Sequence, residues 1–364
     1  MKKVRALVVD DSAYNRMAIT QMLASDEGIE VVGNAIDGVD AISKTLRLQP
    51  DVITLDLEMP NMDGFTFLRW LMKERPTPVL VLSSLSDSRS VFRALELGAV
   101  DFLAKPEVRI SKSIVSIRDD LVAKIHTVLN LEMAKVKSTV ELLSREQAAP
   151  VARKEEEAQP TYGPVEVVAI ASSTGGPPAI QAILSALPAD LSAGIVIAQH
   201  MPPGFTKSFA ERLNKLSSIV VSEAAAGDRV QPGTALIAPG GYHLLVVRKD
   251  HRGLVIELVP RSSSDKYVPS ADRMMVSVAE ACGSAVLGVV LTGMGKDGAE
   301  GVTAIKRKQG RCLAESEESA VIFGMPQAAI RTGAVDKVLP LNKMAAEITA
   351  WCAPRKIAEG RAEM

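Results

Sequence analysis

Two adjacent serines close the hydrophobic run in VVAIASSTGG, residues 167–176. A serine hydroxyl becomes a strong nucleophile only when a base accepts its proton, and an imidazole base needs a carboxylate that holds it in one tautomer. His200 follows the apolar run SAGIVIAQ, and Asp297 follows GSAVLGVVLTG after a short glycine loop. If these runs are parallel strands, Ser172 or Ser173 meets His200 and Asp297 at one edge of a sheet. The spacing predicts a serine nucleophile with a histidine–aspartate pair.

Other interpretations of this turn remain open. A glycine-rich turn between a strand and a helix can bind a dinucleotide phosphate, but that site needs G-x-G-x-x-G and an acidic residue after the next strand, and neither is present. The Ser-Thr pair before Pro177 and Pro178 is also typical of an ordinary helix N-terminus. His243 is the rival base. It opens the strand-like run HLLVV, so we expect it at the opposite end of the sheet or in a hairpin.

A second set of polar residues lies in the N-terminal half. Asp10 and Asp11 end RALVVDD, Asp56 ends DVITLD, Ser83 ends TPVLVLS, and Lys105 ends AVDFLAK. Clustered carboxylates need a cation, and an all-oxygen donor set suits Mg²⁺, which leaves positions open for phosphate oxygens. Asp56 could then attack phosphorus while the metal and Lys105 neutralise the developing charge. Taken singly, each carboxylate could instead cap a helix.

Hydrophobic patterning predicts the elements that position both sets. In the N-terminal half, short apolar runs alternate with helical segments at 14–25, 38–49 and 65–74, which is typical of a parallel sheet covered on both faces. The same alternation after residue 164 predicts a second α/β sheet. Because the carboxyl ends of parallel strands lie along one edge, each sheet would collect its polar residues there.

The sequence between the two patterns predicts a helix and a linker. Helical periodicity runs from 113 to about 143, and SREQAAPVARKEEEAQPTYGP from 144 to 164 replaces it with prolines, alanines and charges. The predicted divisions are a first domain at 1–129, a helix and linker at 130–164, a second domain at 165–352 and a tail at 353–364.

Composition restricts the class of protein. The 364 residues carry 42 basic and 43 acidic side chains, so no overall field recruits nucleic acid or anionic lipid, and no helix-turn-helix with clustered Lys and Arg is evident. Cys282, Cys312 and Cys352 are far apart, which favours free thiols in a reducing compartment. The N-terminal apolar run is too short for a signal peptide, and no run is long enough to span a membrane. We expect a cytoplasmic protein with neither nucleic-acid binding nor membrane insertion.

The N-terminal motifs resemble those of bacterial response-regulator receiver domains. VVDDS, DLEMPNMDG, VLSSLS and ALELGAVDFLAKP stand in the order and spacing of that family over about residues 3–125. The resemblance implies a flavodoxin-like fold with a five-stranded parallel sheet, Mg²⁺ as cofactor and a chemotaxis histidine kinase as phosphodonor. It also implies Asp56 as phosphoacceptor, with Asp10, Asp11, Asp56 and the main-chain carbonyl of Glu58 as metal ligands, and Ser83, Lys105 and the switch aromatic Phe102 as sensors of the phosphoryl group.

The C-terminal motifs resemble the catalytic domain of the chemotaxis protein-glutamate methylesterase family. ASSTGGPPAI, AQHMPPGFTKSFAERLN, IAPGGYHL, VVLTGMGKDGAEG and VIFGMPQAAI carry this resemblance over about residues 165–350, whereas KYVPSAD lacks the His-Arg often found before Pro-Ser. The resemblance implies a doubly wound, mostly parallel, Rossmann-like domain with no cofactor for the ester chemistry. It implies Ser173, His200 and Asp297 as the triad, with main-chain groups near Thr174 and Met294 positioning the substrate or oxyanion.

Together the two resemblances imply a phosphorylation-regulated serine esterase. Its expected substrates are glutamyl γ-methyl esters on methyl-accepting chemotaxis receptors, with deamidation of receptor glutamines as a second activity. We expect the unphosphorylated receiver to pack over the Ser173 edge. Phe205 and Phe209, four residues apart, either pack in the core or contact the receptor. A non-catalytic docking module remains the alternative interpretation of the second half.

Overall fold

The N-terminal half forms a five-stranded parallel sheet covered by helices. The computed structural model describes residues 3–84, 88–105, 111–129, 131–146 and 164–353. The elements of this half are β1 Val4–Val9, α1 Ala13–Ala24, β2 Ile29–Ala35, α2 Gly38–Leu48, β3 Val52–Leu55, α3 Gly64–Glu74, β4 Val79–Ser83, α4 Ser88–Glu96, β5 Asp101–Ala104 and α5 Ser111–Val128. The strand order is β2-β1-β3-β4-β5, with every pair parallel. This is the flavodoxin-like order expected from the sequence, and the first part of the fold prediction is confirmed.

Local sequence explains these elements. The strands β3 and β4 are buried along their whole length, as expected for strands covered on both faces. Helices α1, α2 and α3 each begin after a side chain that accepts a hydrogen bond from the first turn, namely Ser12, Asp37 and Asp63. Caps and apolar runs therefore place the polar residues at the carboxyl ends of the strands.

The prediction of one helix from 113 to 143 is wrong. The chain forms α5, which ends at Val128, and a separate helix α6 at Met133–Glu146. The two helices pack on different partners, because α5 lies against α1 of its own half whereas α6 lies against a helix of the C-terminal half. The chain must change direction between these two surfaces, and helical periodicity in the sequence does not show such a change. The predicted linker after residue 146 lies outside the described residues.

The C-terminal half contains a larger parallel sheet. Its elements are β6 Val167–Ser172, α7 Gly176–Ala186, β7 Gly194–Gln199, α8 Phe205–Leu216, β8 Val220–Glu223, β9 Thr234–Ile237, β10 Tyr242–Lys249, β11 Gly253–Pro260, α9 Ala271–Cys282, β12 Val286–Val290, α10 Ala299–Arg307, β13 Arg311–Glu315, α11 Gly324–Arg331, β14 Lys337–Leu339 and α12 Leu341–Cys352. Seven strands pair in parallel in the order β14-β13-β12-β6-β7-β9-β8, and β10 and β11 form an antiparallel hairpin. The predicted doubly wound α/β domain is confirmed.

The topology of this sheet singles out one crevice. From β6 the chain continues to β7 on one side, and later returns to β12 on the other side before moving outward to β13 and β14. Open α/β sheets bind ligands outside the carboxyl ends of the strands where the order reverses in this way. The fold therefore favours a site at the carboxyl ends of β6, β7 and β12.

An aromatic cluster joins the two halves. Phe92 of α4 stacks on Phe209 of α8 with ring centroids 5.0 Å apart, and Phe102 of β5 lies 4.7 Å from Phe205. Phe205 and Phe209 are fully buried. The core-packing alternative for these two phenylalanines is therefore confirmed, and Phe92 and Phe102 of the N-terminal half belong to the same core.

Cys312 and Cys352 are buried, and Cys282 is half-buried. All three are free thiols, and burial raises the pKa of each to about 12, which disfavours the reactive thiolate. In the part of the chain that the structure describes, no helix combines the length and apolar character needed to cross a bilayer.

Candidate active site and phosphorylation site

The strand ends of the second sheet bring Ser173, His200 and Asp297 to the same crevice. Ser173 follows β6 directly, His200 follows β7, and Asp297 lies at the end of the loop after β12. Main-chain bonds tie the three exits together, since the His200 N–H donates to the Ser172 carbonyl at 3.1 Å and the Ser173 N–H to the Thr292 carbonyl at 3.0 Å. The parallel register of the central strands therefore places three sequence-distant side chains at one edge.

His200 and Asp297 form a direct pair. Nε2 of His200 lies 2.8 Å from Oδ2 of Asp297, whose side chain is almost completely buried. Asp297 also accepts the main-chain N–H groups of Ala271 and Asp272 at the N-terminus of α9, and the Ser270 hydroxyl. Burial opposes ionisation of Asp297, but these hydrogen bonds and the His200 imidazole hold its pKa below the ordinary value. The carboxylate engages Nε2 of the imidazole, and Nδ1 is the ring nitrogen that remains.

The structure distinguishes the two serines. Ser172 is fully buried, and its hydroxyl donates to Oε1 of Gln199 at 2.7 Å. Ser173 is only half-buried, and its hydroxyl makes no hydrogen bond to any described residue. A Cβ at Gly176 would lie 2.1 Å from Gln199 Oε1, so this turn requires glycine. Ser172 therefore supports the turn, whereas Ser173 faces the crevice.

The N-terminal half contacts both residues expected to position the substrate. The Thr174 hydroxyl donates to Oδ2 of Asp101 at 2.6 Å, and the Thr127 hydroxyl of α5 contacts the sulfur of Met294. Lys124 of α5 forms an ion pair with the same Asp101 carboxylate. These contacts flank Ser173, so β5 and α5 lie over the crevice. Their position agrees with the expectation that the receiver packs on the Ser173 edge.

The first sheet also gathers its polar residues at one edge. Asp10, Asp11 and Asp56 offer oxygen atoms that all lie within 4.8 Å of one another. Lys105 Nζ lies 2.6 Å from Asp56 Oδ2 and 3.0 Å from Asp10 Oδ2. Asp10 Oδ2 is buried, and the Lys105 ammonium compensates its charge. Three carboxylates at this spacing form an all-oxygen donor set of the kind that suits a hard divalent cation.

Electrostatics at Asp56 fit this interpretation. Burial raises the pKa of Asp56, and the Lys105 ammonium opposes that shift. For Lys105, burial disfavours the charge, but hydrogen bonding to Asp56 holds its pKa above the ordinary value. A divalent cation beside Asp56 would likewise favour its ionised, nucleophilic form.

The other residues predicted for this site differ in their exposure and in their contacts. Glu58 is exposed, and its main-chain N–H points at Asp56 Oδ1, 3.4 Å away. Ser83 is buried at the end of β4, where its hydroxyl donates to the Ser84 carbonyl. Phe102 is also buried, in the interface cluster with Phe205. Phe102 therefore contacts the second half directly.

His243 belongs to a supporting network. It lies in the hairpin strand β10, is fully buried, and its Nε2 is 3.0 Å from Oδ2 of Asp265. Its Nδ1 accepts the N–H of Ser270, the residue whose hydroxyl donates to Asp297. Both ring nitrogens are thus engaged away from Ser173, which argues against His243 as the base. Sequence reasoning missed this network, and the Pro-Ser at 269–270 was its only local signal.

Glu315 was also missed. It is completely buried at the end of β13, where Oε2 accepts the Thr292 N–H at 2.8 Å and Oε1 accepts the Ser319 hydroxyl at 2.9 Å. Thr292 in turn donates its hydroxyl to the Thr174 carbonyl and accepts the Ser173 N–H at its own carbonyl. Glu315 therefore supports the turn that carries Ser173. Nothing in the local sequence AESEES distinguishes it from its exposed acidic neighbours.

Glu315 predicts a pH dependence of stability. Burial raises its pKa from 4.5 to about 7, so its contribution to folding is fully present below pH 4.5 and is lost as pH rises through 7. Glu315→Gln should remove this loss, so that the variant gains about 2 to 3 kcal/mol relative to the parent between pH 5 and pH 8. Urea unfolding at both pH values measures the difference. Glu318→Gln, at an exposed position, is the control, and an equal pH effect in both variants would contradict the prediction.

Comparison with known proteins covers both halves. The family model described as CheB methylesterase matches residues 168–348, and the response regulator receiver domain model matches residues 6–114. The protein-glutamate methylesterase/protein-glutamine glutaminase 3 of Geobacter sulfurreducens is 50% identical, over 97% of this chain and 98% of its own length. The corresponding protein 1 of Myxococcus xanthus is 44% identical over 97% and 98%.

A solved structure is similar to part of the chain. The crystal structure of the Thermotoga maritima CheB methylesterase catalytic domain is 40% identical, with a TM-score of 0.49, and covers 51% of this chain and 98% of that chain. The full-length relatives and the two family models confirm the resemblance found in the sequence. The chain belongs to the CheB methylesterase family, with a response regulator receiver domain in front of the catalytic domain.

Proposed function

We propose that this chain is a phosphorylation-regulated serine esterase that removes methyl groups from glutamyl γ-methyl esters of chemotaxis receptors. The convergence of Ser173, His200 and Asp297 at the carboxyl edge of the second sheet carries the proposal, with the His200–Asp297 pair at 2.8 Å. Glutaminyl amides present the same acyl group, so the site would also deamidate receptor glutamines. The names of the full-length relatives, which combine both activities, support this assignment.

In the acylation step, Oγ of Ser173 attacks the γ-carbonyl carbon of the ester. The serine proton moves to Nδ1 of His200, while ionised Asp297 stabilises the imidazolium through Nε2. Main-chain N–H groups near Thr174, in the turn before α7, are candidates to stabilise the oxyanion, with the Met294 loop on the other side. The helix itself begins with Gly176, whose N–H bonds to the Ser173 carbonyl, and with two prolines, which have no N–H. When the carbonyl re-forms, the C–O bond to the methoxy group breaks, and the proton on His200 leaves with methanol.

In the deacylation step, water replaces the alcohol. His200 accepts one proton from the water as its oxygen attacks the acyl carbon, and it returns that proton to Ser173 Oγ when the serine ester bond breaks. The product is a receptor glutamate. With a glutamine substrate, the first step differs only in that ammonia leaves.

The receiver accepts a phosphoryl group at Asp56. A carboxylate oxygen of Asp56 attacks phosphorus of a phosphohistidine in the kinase, and the phosphorus–nitrogen bond breaks. The oxygen donors of Asp10, Asp11 and Asp56, with the Glu58 carbonyl, would hold Mg²⁺, which neutralises phosphoryl charge during transfer. Ser83 and Lys105 would contact the phosphoryl group afterwards.

Regulation follows from the contacts of β5. Asp101 binds Thr174, the next residue Phe102 packs on Phe205, and Lys105 just beyond the strand pairs with Asp56. A phosphoryl group at Asp56 would draw Lys105 and shift the Phe102 surface, which weakens both contacts with the catalytic domain. Phosphorylation would then uncover Ser173.

Methanol release from methylated receptor membranes tests the function directly. We expect the intact protein to release methanol slowly and a small phosphodonor such as acetyl phosphate to accelerate release. The Ser173→Ala variant measures any background in the membranes. A folded protein that releases no methanol above this background, on several receptors and with phosphodonor present, would favour the docking module.

An ion pair between the two domains provides a test of whether the receiver inhibits the catalytic domain. Arg212 of α8 pairs with Glu96 of α4 across the two domains. Arg212→Ala should loosen the closed arrangement and raise the rate without phosphodonor about two- to fivefold, since a partly exposed pair contributes up to about 1 kcal/mol. Arg248→Ala breaks the Arg248–Glu166 pair within the catalytic domain and serves as control. Equal basal rates in the parent and both variants would count against a closed, inhibited state.

A further inference from the structure

Tyr267 lies face to face with the proposed catalytic base. Its ring and the His200 imidazole have centroids 4.7 Å apart and planes only 7° from parallel. We propose that Tyr267 is a positioning residue for the esterase reaction, which holds the plane of the His200 ring so that Nδ1 is aimed at Ser173. The inference rests on the proposed function, in which His200 is the base, and it adds a residue outside the triad.

A stacked ring supplies a constraint that the Asp297 bond does not. The hydrogen bond from Nε2 fixes one atom of the imidazole, but the torsion about the bond to a flat ring has a broad minimum. A parallel aromatic face restricts that torsion, because rotation of the imidazole would bring its edge into the Tyr267 ring. Together the two contacts define both the position and the plane of the base.

The surroundings of Tyr267 hold it in this place. A Cβ at Gly295 would lie 2.7 Å from the Tyr267 hydroxyl, and Gly295 has φ +89°, so the loop after β12 needs glycine to make room for the phenol. Asp297 lies two residues further along the same loop. Tyr267 is thus enclosed between His200 and the loop that carries the partner of His200.

The aromatic face also suits the charge that develops in the reaction. When His200 holds the serine proton it is a cation, and the electron-rich face of a phenol ring attracts a cation. Other charged groups near this ring pair are Asp297, Asp120 of α5 and the Lys266 ammonium, 5.1 Å from the Tyr267 centroid. Loss of the ring should therefore affect the chemical step more than substrate binding.

Kinetics of full-length variants test this role. Tyr267→Leu and Tyr267→Met should lower kcat for methanol release, measured with phosphodonor, about 3- to 10-fold with little change in KM. Tyr267→Phe keeps the ring and should stay within about twofold of the parent. Tyr242→Leu, at an exposed tyrosine of β10, is the matched control and should behave as the parent.

Nuclear magnetic resonance of histidine-labelled protein supplies a readout independent of activity. The chain has four histidines, so His200→Gln assigns the His200 ring signals. In the parent and in Tyr267→Phe, these protons should be shifted upfield by the stacked ring, and Tyr267→Leu should lose the shift. The parent measurement needs only the His200→Gln assignment and no substitution at Tyr267, so it holds even if the Tyr267 variants fail to fold.

The outcomes separate this inference from the proposed function. If Tyr267→Leu loses the upfield shift but keeps the parental kcat while Ser173→Ala is inactive, the stack exists without a positioning role and this inference is wrong. Absence of the shift in the parent would also overturn it. Normal activity in Ser173→Ala would instead refute the proposed nucleophile, and the positioning role would fail with it.

Discussion

Ser173→Ala should reduce demethylation by about 10⁴-fold or more while the protein stays folded. The reason is geometric, because Ser173 is the half-exposed hydroxyl at the end of β6, in the crevice that also receives His200 and Asp297. His200→Gln and Asp297→Asn should each cause losses of several orders of magnitude. The losses should not add in double variants, since the three groups act as one unit. Initial rates of methanol release with phosphodonor, together with circular dichroism of each variant, measure this.

Ser172→Ala is the matched control for the nucleophile. Ser172 is fully buried and hydrogen-bonded to Gln199, so its loss should cost stability, on the order of 1 kcal/mol, more than activity. If Ser172→Ala abolished methanol release and Ser173→Ala retained it, the assignment of the nucleophile would be reversed. Such a result would also require the β6 turn to rearrange, because in the structure the Ser172 hydroxyl does not reach the crevice.

Asp56→Asn should abolish the response to phosphodonor and leave only the low basal rate. The amide cannot accept the phosphoryl group, yet the contacts of Asp101 with Thr174 and of Phe102 with Phe205 remain in place. Rates with and without acetyl phosphate measure the effect. Asp51→Asn is the control, because Asp51 lies at the opposite end of β3, where its carboxylate accepts the Arg5 N–H. A normal response in Asp56→Asn would place phosphorylation elsewhere.

Removal of the receiver also tests whether it obstructs the catalytic site. A fragment that begins at Pro164 lacks Asp101 and Thr127, which contact Thr174 and Met294 in the intact chain. Its rate should exceed that of the intact unphosphorylated protein about 5- to 150-fold, the usual range of coupling between sites. A folded fragment no faster than the intact protein would rule out obstruction and require the receiver to promote catalysis actively.

Local sequence patterns predict the elements of this protein and the polar residues at their ends. Apolar runs such as DVITLD and VVAIASS indicate buried strands by their composition. The first run ends in Asp56, and the second ends in Ser172 and Ser173. Parallel strands collect their carboxyl ends at one edge whatever the details of packing. For this reason the sequence alone predicts both polar sets as groups, and its motifs indicate the family.

Contacts between distant segments, by contrast, emerge only in the folded chain. The periodicity at 113–143 does not show that α5 and α6 pack on different surfaces. The spacing of Phe205 and Phe209 does not show that phenylalanines of α4 and β5 pack against them. The same holds for Glu315 behind the Ser173 turn and for Tyr267 on the face of His200. Periodicity reports what an element buries, but the identity of the partner depends on contacts between residues tens to hundreds of positions apart, which only the folded chain brings together.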